Sequence, residues 1–326
     1  MPRIVSTHAL HPAATRLLGG DVELRICAAL DPGTLVEEVR DADILIVRAP
    51  LPDDIFLDAP RLRAAIRHGA GLDMIPVERA SQAGVLVANV PGANAATVAE
   101  HVFMATLALL RKFRTVDGEL RRSGWAAARE NAYGLSDLGG KTLAIVGMGN
   151  VGQAVARIAR HGFGVEVIAN SRRRESLPEG VEFAEIDDLV GKADILVLCC
   201  PLTPQTHGLI SRERIARMKP GAVLINVARG PVVDEQALAQ ALQGNRIGGA
   251  ALDVFSQQPL PADHPFMSLD NVIVTPHMAG LTADSMARMG VGAIEEANRV
   301  LDGQLPVNLV NRDAVDRYLE RFHDAL

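Results

Sequence analysis

Short apolar runs alternate along the chain with longer segments in which apolar residues recur every three or four positions. The apolar runs read RIVST, VELRICA, ADILIVRA, RAAIRHG and VLVANV in the first third, and then TLAIVGMG, VEVIAN, ADILVLCC, AVLINVA, GAALDVF and NVIVTPH. Continuous apolar strands between helical segments are typical of βαβ units, whose parallel strands are covered on both faces. We therefore predict an α/β fold with two doubly wound parallel sheets.

Two helical segments organise these strands. An amphipathic segment over residues 94–121 separates the two sets of strands and is predicted as one crossover helix. A second helical run over residues 283–303 follows the last strand and is predicted to lead the chain back to the first domain. A chain of 326 residues is also long enough for two domains.

Composition excludes several classes of function. The formal net charge is −6, so a basic face for nucleic acid is not expected. No apolar run reaches the roughly 18 residues of a membrane span, and the N-terminus lacks the apolar core of a signal peptide. The chain has 3 cysteines without CxxC spacing, which predicts neither a zinc site nor a disulfide framework. We expect a cytoplasmic protein that binds no metal.

A glycine-rich turn between a strand and a helix is the strongest local signal. Gly147, Gly149 and Gly152 form the pattern GMGNVG directly after the run TLAIV. In dinucleotide-binding folds the first glycine permits the tight turn, the second lets the backbone approach a pyrophosphate, and the third allows close helix–strand packing. Glycine-rich turns alone are common, but the flanking strand and helix favour a dinucleotide site, with Asn150 and Val151 also at the phosphates.

Polar residues follow the next strand, where the adenosine ribose of a dinucleotide would lie. NAD sites usually place a carboxylate at the end of this strand to bond the ribose 2′-hydroxyl. Here VEVIAN ends at Asn170, and Ser171, Arg172, Arg173 and Arg174 follow. An amide, a hydroxyl and guanidinium groups can bind a 2′-phosphate. The arginines could equally form a solvated loop, but their location favours NADP(H), with NAD(H) as the alternative.

Three further polar residues follow predicted strands at the end where open α/β sheets bind ligands. They are Arg229 after AVLINVA, Asp253 within GAALDVF, and His277 at the end of NVIVTPH. Each residue alone could be structural, since an arginine can pair with a surface carboxylate and a histidine can end a strand. Together, on successive strand ends beside a dinucleotide loop, they predict a catalytic site.

These motifs resemble those of the D-isomer-specific 2-hydroxyacid dehydrogenases, a family that includes glyoxylate/hydroxypyruvate reductases, phosphoglycerate dehydrogenases and NAD-dependent formate dehydrogenases. The resemblance covers nearly the whole chain and rests on GMGNVG, PLTPQTHGLI, MKPGAVLINVARGPVVDEQAL, GAALDVF and TPH. It implies a Rossmann nucleotide domain (residues 96–285) inserted into a flavodoxin-like substrate domain (residues 1–95 and 286–326), with the active site between them. It also implies a homodimer, with the segment GWAAARENAYG as the dimer arm.

The resemblance assigns roles to the strand-end residues. Arg229 would hold the substrate carboxylate and polarise its carbonyl, and His277 would exchange a proton with the C2 oxygen of a small 2-oxo or 2-hydroxy acid. Asp253 resembles the residue that fixes the nicotinamide amide. Further cofactor contacts are implied at Cys200, Pro201, Thr206, Ala228 and Gly280. The implied reaction is hydride transfer with NAD(P)H, of the glyoxylate or hydroxypyruvate reductase type.

The first domain is predicted to supply the rest of the substrate site. The turn HGAGLD would offer the backbone N–H groups of Ala70, Gly71 and Leu72 to the substrate carboxylate as a small nest, although the same glycines could simply end a strand. Asn94, at the start of NAATVAEH, is predicted to lie against substrate. Arg48, in VRAPLP, is interpreted as structural.

One departure from the family lies in DVFSQQP, residues 253–259. Most members carry a glutamate directly before the proline, where it bonds the histidine and raises its pKa. Here Gln258 can still orient the His277 ring, but it brings no charge. We therefore expect a lower His277 pKa than a glutamate would give, and reduction confined to lower pH. Gln257 is expected to face solvent.

Two other functions remain compatible with the sequence. Gln258 and NAATVAEH resemble the formate dehydrogenase branch, whose reaction moves no substrate proton, although those enzymes carry a longer N-terminal part. The fold would also suit a nucleotide-sensing binding protein, like the transcriptional corepressors of the family. The presence of both Arg229 and His277 favours an enzyme over a binding protein.

Overall fold

The computed structural model describes residues 1–322, and for Ser176 the backbone alone. The chain forms two compact units: Met1–Asn94 with Leu281–Leu326 make up unit 1, and Ala95–Gly280 make up unit 2. Unit 2 is thus inserted into the sequence of unit 1.

Short strands alternate with helices through both units. The strands are β1 (Arg3–Ser6), β2 (Glu23–Ile26), β3 (Ile44–Val47), β4 (Ala64–Arg67), β5 (Leu86–Ala88), β6 (Thr142–Val146), β7 (Glu166–Asn170), β8 (Glu182–Phe183), β9 (Ile195–Leu198), β10 (Val223–Asn226), β11 (Gly249–Leu252) and β12 (Val272–Val274). The helices are α1 (Pro12–Thr15), α2 (Pro32–Val39), α3 (Val77–Gln82), α4 (Ala95–Leu110), α5 (Phe113–Ser123), α6 (Trp125–Glu130), α7 (Asn150–Phe163), α8 (Ile186–Lys192), α9 (Arg212–Arg217), α10 (Glu235–Gln243), α11 (Ala283–Leu301) and α12 (Val315–Arg321).

Unit 1 is built on a parallel sheet in the order β2-β1-β3-β4-β5, which is the flavodoxin-like order. Successive residues of a strand point to opposite faces of the sheet. In β3, Ile44 and Ile46 pack into the apolar layer that contains α11, whereas Leu45 and Val47 pack into the layer that contains α2. Both faces of the sheet are therefore covered, as the continuous apolar run predicts.

Unit 2 is built on a parallel sheet in the order β12-β11-β10-β9-β6-β7-β8. Counted from β6, this is the Rossmann order extended by one edge strand. The strand order reverses between β6 and β9, and the carboxyl ends of the strands at such a point form a ligand crevice. The predicted fold class, two doubly wound parallel sheets with Rossmann and flavodoxin-like topologies, is confirmed.

The strands of unit 2 end in register, so that the residues following them lie along one edge. Pairing joins Val146 to Asn170 and to Leu198, and Leu198 to Asn226. It continues through Leu252 to Val274, the last residue of β12. The turns after β6, β7, β9, β10, β11 and β12 therefore share the carboxyl edge of the sheet.

Three details differ from the sequence prediction. The segment 94–121 is two helices, α4 and α5, because Lys112 adopts a left-handed conformation with φ of 44° that ends α4. No glycine or proline marks this break. The short edge strand β8 is not predicted, since its 2 residues show no periodicity. The predicted boundary at residue 285 falls inside α11, which begins after the cap residue Thr282.

No helix within residues 1–322 combines the length and the apolar content needed to cross a bilayer. Nor does this part of the chain contain a cluster of three or more His, Cys, Asp or Glu side chains arranged to hold a metal ion.

Candidate active site

The first and third glycines of the loop after β6 are required by the packing of unit 2. Gly147 has φ of 97°, and a Cβ on it would lie 2.7 Å from the backbone nitrogen of Cys200. A Cβ on Gly152 would lie 2.1 Å from the carbonyl oxygen of Gly147. Any side chain at either position would push β6, β9 and α7 apart.

The second glycine, Gly149, is not required by the protein itself. Its φ of −76° is open to every residue type, and a Cβ on it would meet no atom of the chain within 4 Å. The open space lies at the start of α7, whose first N–H groups have no acceptor within the helix. A phosphate bound there would fill that space and satisfy those donors. The loop therefore fits the pyrophosphate of a dinucleotide.

The end of β7 has no carboxylate, as the sequence indicates. Asn170 donates from Nδ2 to the carbonyl of Ala184 at 2.9 Å, which holds its side chain at the sheet edge. The Ser171 hydroxyl accepts from the backbone N–H of Arg173 at 3.3 Å and shapes the following turn. Arg172 is exposed and makes no hydrogen bond or ion pair with another described residue.

Arg174 differs from its neighbours because it is engaged within unit 2. Its guanidinium pairs with Glu185 and stacks over the ring of Phe183 at 3.8 Å. Arg174 is thus held against β8, and Arg172 is a cation at this edge that remains available for a ligand phosphate.

The turn after β9 is braced by a threonine. The Thr206 hydroxyl donates to the carbonyl of Pro201 at 2.7 Å and accepts from the N–H of Thr203 at 2.8 Å. A pocket of about 510 Å³ opens beside this turn and is lined by Leu202, Thr203, Pro204 and His207. Burial raises the pKa of the Cys200 thiol to about 11, so this residue forms a protonated, apolar wall at neutral pH.

The turn that carries Arg229 is fixed by Asn226, a buried residue that the sequence does not single out. The Asn226 side chain accepts from the N–H of Ala228 at 3.0 Å and donates to the carbonyl of Arg229 at 3.1 Å. The Arg229 guanidinium donates to the Ala228 carbonyl at 2.6 Å. An asparagine that bonds the backbone two residues ahead is a recognised turn signal, and it could have identified Asn226.

The Arg229 turn packs directly on the DVFSQQP segment. A Cβ on Gly230 would lie 2.0 Å from the carbonyl carbon of Phe255, so only glycine allows this approach. On the other side of the segment, Glu235 accepts from the N–H of Ser256 at 2.7 Å. These contacts bring the turn that bears Arg229 and the segment that bears Gln258 together.

Asp253 holds the loop that follows β12. The residue is 2% exposed, and one carboxylate oxygen accepts from the Thr275 hydroxyl at 2.6 Å and from the N–H of Met278 at 2.8 Å. The other oxygen accepts from the N–H of Ala279 at 2.9 Å. Its role as a nicotinamide contact stays a prediction, and the structure adds a role as a clamp on the loop that contains His277.

His277 is held in a backbone conformation that few side chains adopt. Its φ is 54°, and its N–H donates to the carbonyls of Asp253 and Thr275 at 2.9 and 3.0 Å. Left-handed non-glycine residues often occur at functional sites, where neighbours enforce them. The ring is oriented as predicted for a glutamine partner: Nδ1 lies 3.2 Å from Oε1 of Gln258, whose Nε2 donates to the Phe255 carbonyl at 3.3 Å. Gln257 is exposed.

A second histidine, His101 on α4, is also missed by the sequence reasoning. Burial lowers the pKa of His101, and the carboxylate of Asp253 opposes this effect. The pKa of His101 therefore depends on the charge of Asp253. It closes NAATVAEH, but nothing in that pattern separates it from an ordinary helix residue.

The turn after β4 in unit 1 carries the backbone N–H groups predicted to bind the substrate carboxylate, and this role stays a prediction. The N–H groups of Ala70, Gly71 and Leu72 form no hydrogen bond with any described residue. The turn is held instead by its carbonyls, which accept from Asn89 at 2.7 Å and from Arg67 at 3.0 Å. The free N–H groups are those that a carboxylate would need.

The other two site candidates in unit 1 are Arg48 and Asn94. Arg48 donates to the Ala9 carbonyl at 2.7 Å and contacts the sulfur of Met286 at 3.8 Å, which supports its interpretation as structural. Burial, followed by the charge of Arg48, lowers the pKa of the nearby His68 to about 4. Asn94 is half-buried in the turn directly before α4.

Comparison with known families identifies the inserted unit. A family model described as "D-isomer specific 2-hydroxyacid dehydrogenase, NAD binding domain" matches residues 103–279. A glyoxylate reductase from Korarchaeum cryptofilum is 38% identical over 287 residues, which is 86% of each chain. A D-3-phosphoglycerate dehydrogenase from Methanocaldococcus jannaschii is 37% identical over 317 residues, which is 95% of this chain and 60% of that protein. The present chain thus spans about 60% of the length of the phosphoglycerate dehydrogenases that it matches.

Solved structures show the same architecture. The TT0316 protein from Thermus thermophilus superposes with a TM-score of 0.87 at 35% identity, covering 94% of this chain and 99% of that chain. An NADPH-dependent glyoxylate/hydroxypyruvate reductase from Sinorhizobium meliloti, in complex with NADP and malonate, gives 0.84 at 29% identity over 96% and 97% of the chains. An NAD-dependent formate dehydrogenase from Staphylococcus aureus, in complex with NAD, gives 0.76 at 29% over 91% and 95%.

Proposed function

Because the chain belongs to the D-isomer-specific 2-hydroxyacid dehydrogenase family, we propose that it is a reductase of small 2-oxo acids of the glyoxylate or hydroxypyruvate type. The observation that carries this proposal is the shared carboxyl edge of unit 2. Arg229 and the His277–Gln258 pair follow β10, β11 and β12 on the same edge as the glycine loop after β6. A cation for a carboxylate and a proton-exchanging imidazole beside a dinucleotide loop are the groups that this reaction requires.

We assign the following roles in this reaction to residues of the chain. Arg229 binds the substrate carboxylate and draws electron density from the adjacent carbonyl. The N–H nest of Ala70, Gly71 and Leu72 binds the same carboxylate, and Asn94 lies against substrate. His277 exchanges a proton with the C2 oxygen, and Gln258 keeps its ring in place. The nicotinamide cofactor, when bound, supplies or removes the hydride.

The cofactor is held along the carboxyl edge of unit 2, and we assign it as NADP(H) in preference to NAD(H). The glycine loop takes the pyrophosphate, and Asn170, Ser171, Arg172 and Arg173 take the 2′-phosphate. Support comes from the absence of a carboxylate at the end of β7 and from the exposed guanidinium of Arg172, which makes no hydrogen bond or ion pair within the part of the chain that the structure describes. Cys200, Pro201, Thr206, Ala228, Asp253 and Gly280 complete the proposed set. Among the structural relatives, one binds NADP and another NAD.

A substrate panel tests both proposals together. Glyoxylate, hydroxypyruvate, pyruvate, 3-phosphohydroxypyruvate and formate are each assayed with both cofactors in the appropriate redox state. We expect NADPH oxidation with glyoxylate or hydroxypyruvate, and a higher kcat/KM for NADPH than for NADH. An NADH preference above about tenfold would overturn the assignment of the arginine-rich turn, and turnover of 3-phosphohydroxypyruvate alone would replace the substrate assignment. Dinucleotide binding without turnover would indicate a binding protein.

Formate oxidation is the second candidate, and the Gln258–His277 pair is the observation that favours it. Loss of hydride from formate leaves carbon dioxide, so no proton must be exchanged at an oxygen. A neutral histidine partner would not impair that reaction. NAD(P)H formation from formate, with no reduction of any 2-oxo acid in the panel, would establish this alternative in place of the first.

We also propose that the chain forms a homodimer through the segment GWAAARENAYG, residues 124–134, with the preceding helix α5 beside it. The apolar side chains of Phe113, Trp125 and Tyr133 are 62%, 72% and 95% exposed, and α5 buries none of its residues. Exposed large apolar side chains that lie close together in sequence are typical of a protein interface. Light scattering is expected to give twice the chain mass, and Trp125→Ser with Tyr133→Ser is expected to give monomers. A wild-type monomer would refute the assignment.

A cytoplasmic location is proposed on the basis of the thiols. Cys27, Cys199 and Cys200 are all free, and free thiols persist most readily in a reducing compartment. Fractionation of the native host with an antibody against the chain would test this.

A further inference from the structure

Two side chains of unit 1 hold the turn after β4 by its carbonyl oxygens. Nδ2 of Asn89 donates to the carbonyl of Ala70 at 2.7 Å, and Nε of Arg67 donates to the carbonyl of Gly71 at 3.0 Å. Arg67 is the last residue of β4, and Asn89 directly follows the neighbouring strand β5. The turn is therefore fixed from the ends of both strands.

These contacts fix the directions of the N–H groups in the turn. The peptide bonds here are trans, so each peptide unit is planar and its C=O and N–H bonds point in opposite directions. The carbonyls of Ala70 and Gly71 share their peptide units with the N–H groups of Gly71 and Leu72. A third unit is held in the same way, because the carbonyl of Gly69 accepts from the N–H of Val90 at 2.8 Å. Each of the three N–H groups therefore points away from the donor that holds its own peptide unit.

The guanidinium of Arg67 suits this role because its donors lie in one rigid plane. While Nε serves Gly71, Nη1 donates to the carbonyls of Val47 and His68 at 2.9 and 2.8 Å. Val47 is the last residue of β3, so the guanidinium is anchored to the sheet itself. A hydrogen bond at a carbonyl also polarises the peptide unit, and this strengthens the N–H of the same unit as a donor.

We propose that Arg67 and Asn89 are positioning residues of the substrate site, which direct the N–H groups of Leu72 and Gly71 toward the carboxylate of a 2-oxo acid. The inference rests on the proposed function, in which those N–H groups bind that carboxylate. Each side chain acts through one backbone carbonyl. N–H groups that are already directed lose less entropy when the anion binds. Loss of either contact therefore weakens binding of the carboxylate in the ground state and the transition state alike.

The first test replaces Arg67 with lysine. Lysine carries a methylene group at the position of Nε, whereas its ammonium lies near the position of Cζ and keeps the positive charge. Arg67→Lys therefore removes the bond to the Gly71 carbonyl and retains a donor for Val47 and His68. We expect the KM for glyoxylate or hydroxypyruvate to rise about tenfold and kcat to change less than about threefold, as for lost uniform binding. A wild-type KM would overturn the inference.

The second test replaces Asn89 with leucine, which has nearly the same shape but no donor. The same rise in KM with little change in kcat is expected. Arg321→Lys and Asn298→Leu are the matched controls, since both side chains donate to backbone carbonyls of unit 1 outside the turn. The acceptors are Leu17 for Asn298, and Ala59, Pro60 and Ala83 for Arg321. We expect the controls to match the test variants in Tm and the wild type in KM. An equal rise in KM in variants and controls would contradict the proposal.

Oxamate, an unreactive analogue of a 2-oxo acid, provides a readout that needs no turnover. Its dissociation constant from the protein with NADPH bound is measured by the fluorescence of the reduced nicotinamide. We expect this constant to rise about tenfold in Arg67→Lys and in Asn89→Leu and to stay at the wild-type value in both controls. Unchanged oxamate affinity in the two test variants would overturn the inference and leave the proposed reductase function intact. A wild-type protein that neither binds oxamate nor reduces any 2-oxo acid would overturn both.

Discussion

Replacing Asp253 with asparagine tests whether this residue acts as the clamp on the His277 loop. The carboxylate accepts three hydrogen bonds, two at one oxygen from Thr275 and Met278 and one at the other from Ala279. An asparagine can present only one oxygen. Its NH₂ group must then face a donor, which is either the N–H of Ala279 or the Thr275 hydroxyl together with the N–H of Met278.

The magnitude follows from those contacts. The variant loses at least one hydrogen bond to a charged group and leaves a buried N–H unpaired, which costs about 3 kcal/mol. For a domain of this size that corresponds to a fall in Tm of about 9 °C. The His277 ring would also be displaced, and a displacement near 1 Å costs about 10²-fold in kcat.

Calorimetry measures the change in Tm, and steady-state kinetics measure the change in kcat. Titration of the cofactor-free protein with NADPH measures the change in cofactor affinity. We expect the dissociation constant for NADPH to change less than about threefold, because the lost contacts lie within the loop. Thr275→Val is the matched control: it removes one neutral donor and should lower Tm by about 3 °C, with a smaller loss in kcat. If Asp253→Asn kept the wild-type Tm and weakened NADPH binding about tenfold or more, the clamp reasoning would be wrong and a direct nicotinamide contact would replace it.

Three further predictions concern the cofactor and the catalytic pair. Gly149→Ala should weaken NADPH binding about tenfold without lowering Tm, since the added Cβ meets only open space. Gly147→Ala should lower Tm, because its Cβ collides with the turn after β9. Equal losses of Tm in the two variants, measured by calorimetry, would contradict this difference. Arg172→Asp should raise the KM for NADPH about tenfold and leave the KM for NADH unchanged, as expected for the loss of one charge-assisted hydrogen bond. An equal rise in both KM values would argue against a contact between Arg172 and the 2′-phosphate. Gln258→Glu should raise the His277 pKa, so that ketone reduction persists to higher pH; a pH–rate profile that did not move would remove the electrostatic role of position 258.

Much of the architecture follows from patterns that are local in sequence. Buried parallel strands require continuous apolar runs, and eleven such runs correspond to the strands β1–β7 and β9–β12. The glycine loop is also recognisable locally, because its first and third glycines, Gly147 and Gly152, are required by a positive φ and by close packing within one strand–turn–helix stretch. The break between α4 and α5 is not recognisable, since Lys112 carries no turn signal.

The candidate site could be predicted only in part. Arg229 and His277 are visible because polar residues directly after apolar strands are conspicuous. Asn226 and Gly230 are not visible, because their importance lies in contacts with the backbone of Ala228 and Phe255. Asp253 is visible as a polar residue, but its three contacts come from the turn after the next strand in the sheet.

The sequence by itself determined which segments are strands, that the strands are parallel, and which chemical groups follow them, because each of these depends on residues within one short stretch. Only the tertiary structure decided how those groups are held. The strand order and register place the turns side by side, and that placement makes Asp253 a clamp and gives the Gln258 amide its orientation. The contact between His277 and Gln258 depends on atoms from separate turns, so it emerges only when the sheet is assembled.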